Sequence, residues 1–360
     1  MLSSLSLRHH LSDLLERGRL PAPVALPLSR AWDSVSARRV ARPLRLPPVP
    51  VVGVGGAVLG GAGKTPVAIA TAQALSRAGA RVALVAHAYR ARPLHARQVL
   101  VDDPVALVGD DALVAARALS SWAIPTWVAP TRQSAIDAAA RDCSVIVVDG
   151  LLQSTPEPLS CSLLVLDALL PWGAGACPPA GDLRAPPWAL LRATDRVVLV
   201  SDANCQGETA LPPFVMDACR VELRIVGARA GAVLFPVDQL RSLRLGVLLL
   251  VGRPQRILDS LERCGVRCET AWFGGDHQPP GGLALAAIRR AARISRIDAW
   301  LVTPKCGTHL SGLDLGAPAW EIETSLRLDP RTETVVDSRP CVRRLCSSPC
   351  SRLPCCPFPS

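Results

Sequence analysis

The sequence predicts an α/β fold: a P-loop NTPase-type parallel sheet with helices on both faces, followed by a second, smaller α/β domain. Three observations predict it. Short β-branched runs alternate with Ala-rich helical stretches between residues 51 and 148. The first of those runs ends in a glycine-rich turn that carries Lys64-Thr65. The alternation then resumes between Val221 and Leu328. Strands interleaved with helices at this spacing pair in parallel, because each crossover returns the chain to the same sheet edge.

The first element sets the rest. Val51, Val52 and Val54 are β-branched and bounded by Pro50 and Gly55, as a short core strand should be. Gly60, Gly61, Ala62 and Gly63 follow, small enough for the backbone to fold tightly and turn its N–H groups onto a phosphate. Lys64 is placed to reach the β- and γ-phosphates and Thr65 to put a hydroxyl on Mg²⁺, at the start of a helix whose positive end favours anions. The pattern is close to G-x-x-x-x-G-K-[ST], with Val58 where the first glycine belongs. A glycine-rich turn that binds nothing is the bland alternative. Composition argues against it: among 40 basic residues only Lys64 and Lys305 are lysine, and one of them stands where this loop needs a compact ammonium.

The remaining elements follow in order. Helices are expected near the N-terminus at residues 2–18 and from Leu28 to Val40; Leu7, Leu11, Leu14 and Leu15 share a face suited either to a membrane surface or to packing on the domain. After the loop come a helix Val67–Ala78 stopped by Gly79, a strand Val82–Val85, a helix from Gly109-Asp110-Asp111 to Leu119, a strand Thr126–Ala129 and a helix Gln133–Arg141. The strand Val145–Val148 ends in Asp149, the position at which a carboxylate holds the magnesium shell in phosphate-loop proteins; a turn-capping Asp is the alternative. Strands Leu163–Leu166 and Val197–Val200 flank a Pro/Gly loop, Pro171–Pro187, which contains Arg184 and is too long for a plain connection. Residues 205–213 read as a linker. Strands at Leu245–Val251, Glu269–Phe273 and Ala299–Thr303 and a helix Pro254–Cys264 make the smaller unit. The expected divisions are 1–45 (amphipathic, membrane-proximal), 46–220 (phosphate-loop core), 221–328 (smaller α/β domain) and 329–360 (a Cys/Pro-rich, disordered tail).

Composition narrows the function. The net charge of +10 rests almost wholly on Arg, and the first fifty residues contribute eight Arg against Asp13, Glu16 and Asp33. No interleaving of basic and aromatic residues supports nucleic-acid binding. Outside the Gly/Pro-rich loops no apolar run approaches the roughly 18 residues that span a bilayer, and charges interrupt any signal-peptide core, so a cytoplasmic protein lying against a membrane is expected. Eight of the 13 Cys are scattered from Cys143 to Cys306, in the manner of buried thiols; the other five crowd into the last twenty residues at spacings that match no usual zinc pattern.

Several separated stretches together resemble one family, tetraacyldisaccharide 4'-kinase (lipid A 4'-kinase), from about residue 25 to 310. Val54-Gly-Gly-Ala-Val-Leu-Gly-Gly-Ala-Gly-Lys-Thr-Pro66 is similar to its phosphate loop, which also lacks the first glycine. Cys177-Pro-Pro-Ala-Gly-Asp-Leu-Arg-Ala-Pro186, Gly109-Asp110-Asp111-Ala112 and Phe273-Gly-Gly-Asp276-His277 echo three further motifs in the same order. The resemblance implies ATP- and Mg²⁺-dependent phosphorylation of the 4'-hydroxyl of a lipid-linked disaccharide at the cytoplasmic face of the bacterial inner membrane. By position, it assigns Lys64 to the phosphates and Thr65 and Asp149 to magnesium. Asp110 and His277 become the pair that activates the hydroxyl, and Tyr89 and Arg184 become substrate contacts. Departures from the pattern fall at Ala86-His-Ala-Tyr89-Arg90, at Gly150 and Ser154 in Asp149-Gly-Leu-Leu-Gln-Ser154, and at Cys306 in Thr303-Pro-Lys305-Cys306. Gly150 stands where the family has a second carboxylate, which leaves open a relative that binds nucleotide without turnover. Oligomeric state is not legible.

Overall fold

A computed structural model describes residues 22–202, 218–251, 254–275 and 279–328. The expected helix over 2–18, the linker at 205–213, His277 and the Cys-rich tail lie outside the described residues.

Fifteen strands are present among the described residues. In chain order they are β1 (Ala41–Leu44), β2 (Val51–Gly56), β3 (Val82–Val85), β4 (Arg97–Gln98), β5 (Thr126–Val128), β6 (Val145–Asp149), β7 (Gln153–Pro156), β8 (Cys161–Asp167), β9 (Arg196–Asp202), β10 (Cys219–Ala230), β11 (Val233–Pro236), β12 (Leu245–Leu249), β13 (Cys268–Phe273), β14 (Ala299–Val302) and β15 (Ala319–Leu328). β1 and β7 pair apart as a two-stranded ribbon. The rest make one sheet in the order β13-β12-β14-β15-β10-β9-β8-β2-β6-β3-β5-β4, with β11 beside β10. Pairing is parallel except at β4–β5, β10–β11 and β10–β15.

The central strands read as unbroken apolar runs because both of their faces are covered. β2 and β6 are buried along their whole lengths. Their side chains alternate between two cores. Val52, Val54 and Val147 pack with Leu75 and Leu113 on one face, while Val51, Ile146 and Val148 pack with Ile136 and Leu151 on the other. In the C-terminal part a separate core gathers around Trp300, Leu248, Leu261 and Ile288. The indole N–H of Trp300, fully buried, donates to the Leu315 carbonyl at 3.1 Å.

Three differences from expectation have physical causes. The helix expected from Val67 starts at Lys64, since the loop's last glycine feeds the helix directly. The N-terminal helix spans Ala22–Arg38 and accommodates Pro27. The boundary placed at 220/221 falls inside β10, which pairs with β9 on one side and β15 on the other, so a single sheet runs through both halves. β10 alternates charged and apolar residues (Arg220, Glu222 and Arg224 interleaved with Val221 and Leu223), the signature of a strand with one face partly open, unlike the apolar runs of the central strands β2 and β6.

Candidate active site

The site forms at the carboxyl ends of β2, β6, β8 and β9, where the chain order reverses across the sheet; open α/β sheets bind ligands at such a point. β2 delivers the loop from Ala57 to Gly63. Gly61 and Gly63 adopt φ of 73° and 75°, in the left-handed region that favours glycine, and the helix Lys64–Arg77 then begins with no side-chain cap. Its first N–H groups are therefore available to an anion. The stem of Lys64 runs beneath Gly56, where a Cβ would come within 2.7 Å of Lys64 Cδ. Burial, and secondarily the charge of Arg184, pushes the Lys64 ammonium down to about 8.

A second loop braces the first. Val58 and Leu183 form an isolated antiparallel bridge. Leu59 N–H donates to the Asp182 carbonyl at 2.9 Å, and Arg184 N–H donates to that of Ala57 at 2.8 Å. The Arg184 guanidinium donates to the carbonyls of Val58 (2.9 Å) and Leu59 (3.2 Å) while still facing the cleft. Val58 is 1% exposed and packs with Leu152, Leu164, Leu166 and Leu183. The residue that breaks the simple loop pattern is thus a core residue, and the long Pro/Gly loop braces the phosphate loop.

β6 lies beside β2 with Asp149 in register with Val54. Thr65 Oγ1 donates to Asp149 Oδ2 at 2.7 Å. Asp149 Oδ1 is buried and has no hydrogen-bond partner among the described residues. Burial foremost, then the charge of Asp111, raises the Asp149 carboxyl above the ordinary carboxylate range, against the pull of Lys64 and the Thr65 hydroxyl. An orphaned hard oxygen next to a threonine hydroxyl fits Mg²⁺, which is held by few protein oxygens and completed by phosphates and water. Among the described residues no three His, Cys, Asp or Glu side chains gather as a metal site.

The third wall comes from the helix Asp110–Leu119 and from the helix Pro304–Leu310 of the C-terminal part. Asp110 is 2% exposed, and its Oδ2 lies 3.1 Å from His309 Nε2 and 3.9 Å from Lys305 Nζ. Its neighbour Asp111 lines the cleft and accepts from Lys305 Nζ at 3.1 Å. Tyr89, His87, Arg132 and Gly150 also line this cleft. Of the residues expected from sequence, Gly60, Gly61, Ala62, Gly63, Lys64, Thr65, Tyr89, Asp149 and Arg184 all line one cleft of about 2350 Å³. Asp110 sits behind its wall. Sequence reasoning did not single out Asp111, Arg132, Lys305 or His309 as site residues. For Lys305 a signal existed, since it is the chain's other lysine.

A family model described as tetraacyldisaccharide-1-P 4'-kinase (LpxK) matches residues 22–340. The chain belongs to the LpxK family. Curated relatives named tetraacyldisaccharide 4'-kinase include one from Methylobacterium nodulans, 34% identical over 276 residues that cover 76% of this chain and 79% of the relative. Another, from Paramagnetospirillum magneticum, is 34% identical over 286 residues, covering 79% and 83%. Among solved structures, LpxK from Aquifex aeolicus in complex with ATP superposes with a TM-score of 0.60 over 86% of this chain and 95% of that one, at 18% identity, and so shares the fold. Like the LpxK fold, this one is α/β with a large, mostly parallel sheet. No described helix is long and apolar enough to cross a membrane.

Proposed function

We propose that this chain transfers the γ-phosphoryl group of ATP to the 4'-hydroxyl of a tetraacyldisaccharide 1-phosphate, a step in lipid A biosynthesis. Family membership motivates the acceptor. The observation that carries the chemistry is the 2.7 Å contact of Thr65 with Asp149 beside Lys64 in an open cleft. The loop N–H groups and Lys64 hold the β- and γ-phosphates. Thr65 and Asp149 would hold Mg²⁺, which supplies charge neutralisation for the transferring phosphoryl group when bound. Lys305, positioned by Asp111, adds positive charge at the opposite wall.

In this reading Asp110 orients His277, whose imidazole takes the proton of the 4'-hydroxyl. The hydroxyl oxygen forms its bond to the γ-phosphorus as the bond from phosphorus to the ADP oxygen breaks. His309 Nε2, 3.1 Å from Asp110 Oδ2, fixes the rotamer of Asp110. Tyr89 and Arg184 contact the substrate at the rim. The helix Ala22–Arg38 turns Leu28, Trp32 and Val35 to solvent along one face, an exposed strip by which the enzyme rests on the cytoplasmic face of the inner membrane, where its acceptor resides.

The test is phosphoryl transfer from labelled ATP to a tetraacyldisaccharide 1-phosphate in detergent micelles with Mg²⁺. Lys64→Ala is expected to lower the rate by at least about a hundredfold. A wild-type rate no higher than that of Lys64→Ala would refute the proposal, and nucleotide binding without turnover would favour a non-catalytic relative.

A further inference from the structure

Arg132 opens the helix Arg132–Ala139, whose start is fixed by Thr131: its hydroxyl accepts from Ser134 N–H at 3.1 Å. The Arg132 side chain enters the cleft that holds Lys64, Thr65 and Asp149. It passes directly over Gly150, where an added Cβ would lie 3.3 Å from Arg132 Nη2. Gly150 itself has φ of 79°, so the chain turns here without presenting any side chain to the guanidinium. Among the described residues the Arg132 guanidinium makes no hydrogen bond and no carboxylate ion pair. Burial, followed by the charge of Arg42, disfavours its charged form, with Asp149 acting the other way. His87, on the same rim, is pushed down by burial and then by Arg132. A largely enclosed guanidinium without an anion is costly, and it is a ready fork for a phosphate.

The position says which phosphate. Lys64 and the loop N–H groups grip the nucleotide from the β2 side. Arg132 stands on the β6 side, next to Asp149, where the terminal phosphate projects in a phosphate-loop site. We propose that Arg132 binds the γ-phosphate of ATP, through the opening that Gly150 leaves, and thereby selects triphosphate over diphosphate. A carboxylate at 150 would capture the guanidinium; glycine leaves it to the nucleotide. The inference rests on the kinase reading only in requiring that the cleft bind ATP.

Isothermal titration with Mg²⁺ and either ADP or the β,γ-imido analogue of ATP tests it on the full chain. Arg132→Gln is expected to weaken the analogue by about tenfold to a hundredfold, the worth of hydrogen bonds to a charged group, and to leave ADP affinity unchanged. That unchanged ADP affinity also reports an intact fold. Arg132→Lys, which keeps the charge and loses the fork, should fall between. Equal weakening of both nucleotides by Arg132→Lys, or of neither, overturns the proposal. So does an effect confined to the KM of the lipid acceptor, which would assign the guanidinium to the acceptor. A wild-type protein that fails to phosphorylate the disaccharide but keeps the ADP-versus-analogue split would sink the kinase reading and leave this one standing.

Discussion

Lys64 is a cation held where the protein alone disfavours it. Desolvation brings its pKa to about 8, and Arg184 pushes the same way. A polyphosphate reverses the balance, because a nearby anion favours the charged form. The sign follows: the bound state holds the proton more tightly than the free state, so nucleotide binding takes up protons between about pH 8 and 10.5, and affinity falls as pH rises above about 8. Titration of ATP in buffers of different ionisation enthalpy should record that uptake, and Lys64→Ala should abolish it. An uptake of the same size in Lys64→Ala would assign the proton elsewhere. At this scale the sequence was only partly readable. Asp110 and Asp111 are equally acidic and adjacent, yet successive helix positions point about 100° apart, and only the packed structure tells which one meets the cleft. Arg132 carried no signal at all in a chain whose basic residues are nearly all arginine.

Among elements, the phosphate loop is held from two directions. The Pro171–Pro187 loop supports it through Leu183 and Arg184. From the C-terminal part, the helix Pro254–Arg263 sends Arg256 to three residues. It donates to Asp167 at 2.5 Å, to the Gly61 carbonyl at 3.1 Å, and to both oxygens of Asp202 at 3.4 Å. Ser260 and Arg263 also reach Asp202. Asp167 and Asp202 are the last residues of β8 and β9 and are buried, so Arg256 compensates their charge while tethering the loop. Removing one member of a buried pair leaves the other uncompensated. Arg256→Ala should therefore cost about 3 kcal/mol in urea denaturation, with a rise in KM for ATP larger than that for the acceptor. Equal rises would mean that the arginine only holds the fold together. This brace was not legible beforehand. The helix was expected at nearly its observed bounds, but which strand ends it faces depends on a sheet order that no local pattern encodes.

For the whole molecule, the legible part was whatever local chemistry dictates: valine-rich strands covered on both faces, the glycine turn, the carboxylate ending β6. Convergence across the chain was not. Lys305 meets Asp111 across 194 positions only because β10 and β15 carry the sheet from one half into the other, and β10 has the mixed polarity that hid it as a core strand. The pairing of the chain's two lysines within one cleft has a consequence for chemistry performed on the protein from outside. Reagents that acylate amines find, apart from the α-amino group, no target beyond the cleft. Lys64, with its proton loosened by burial, is a nucleophile at mildly alkaline pH. An amine-directed probe would thus act on this enzyme as a site-directed one, with ATP as the natural protectant.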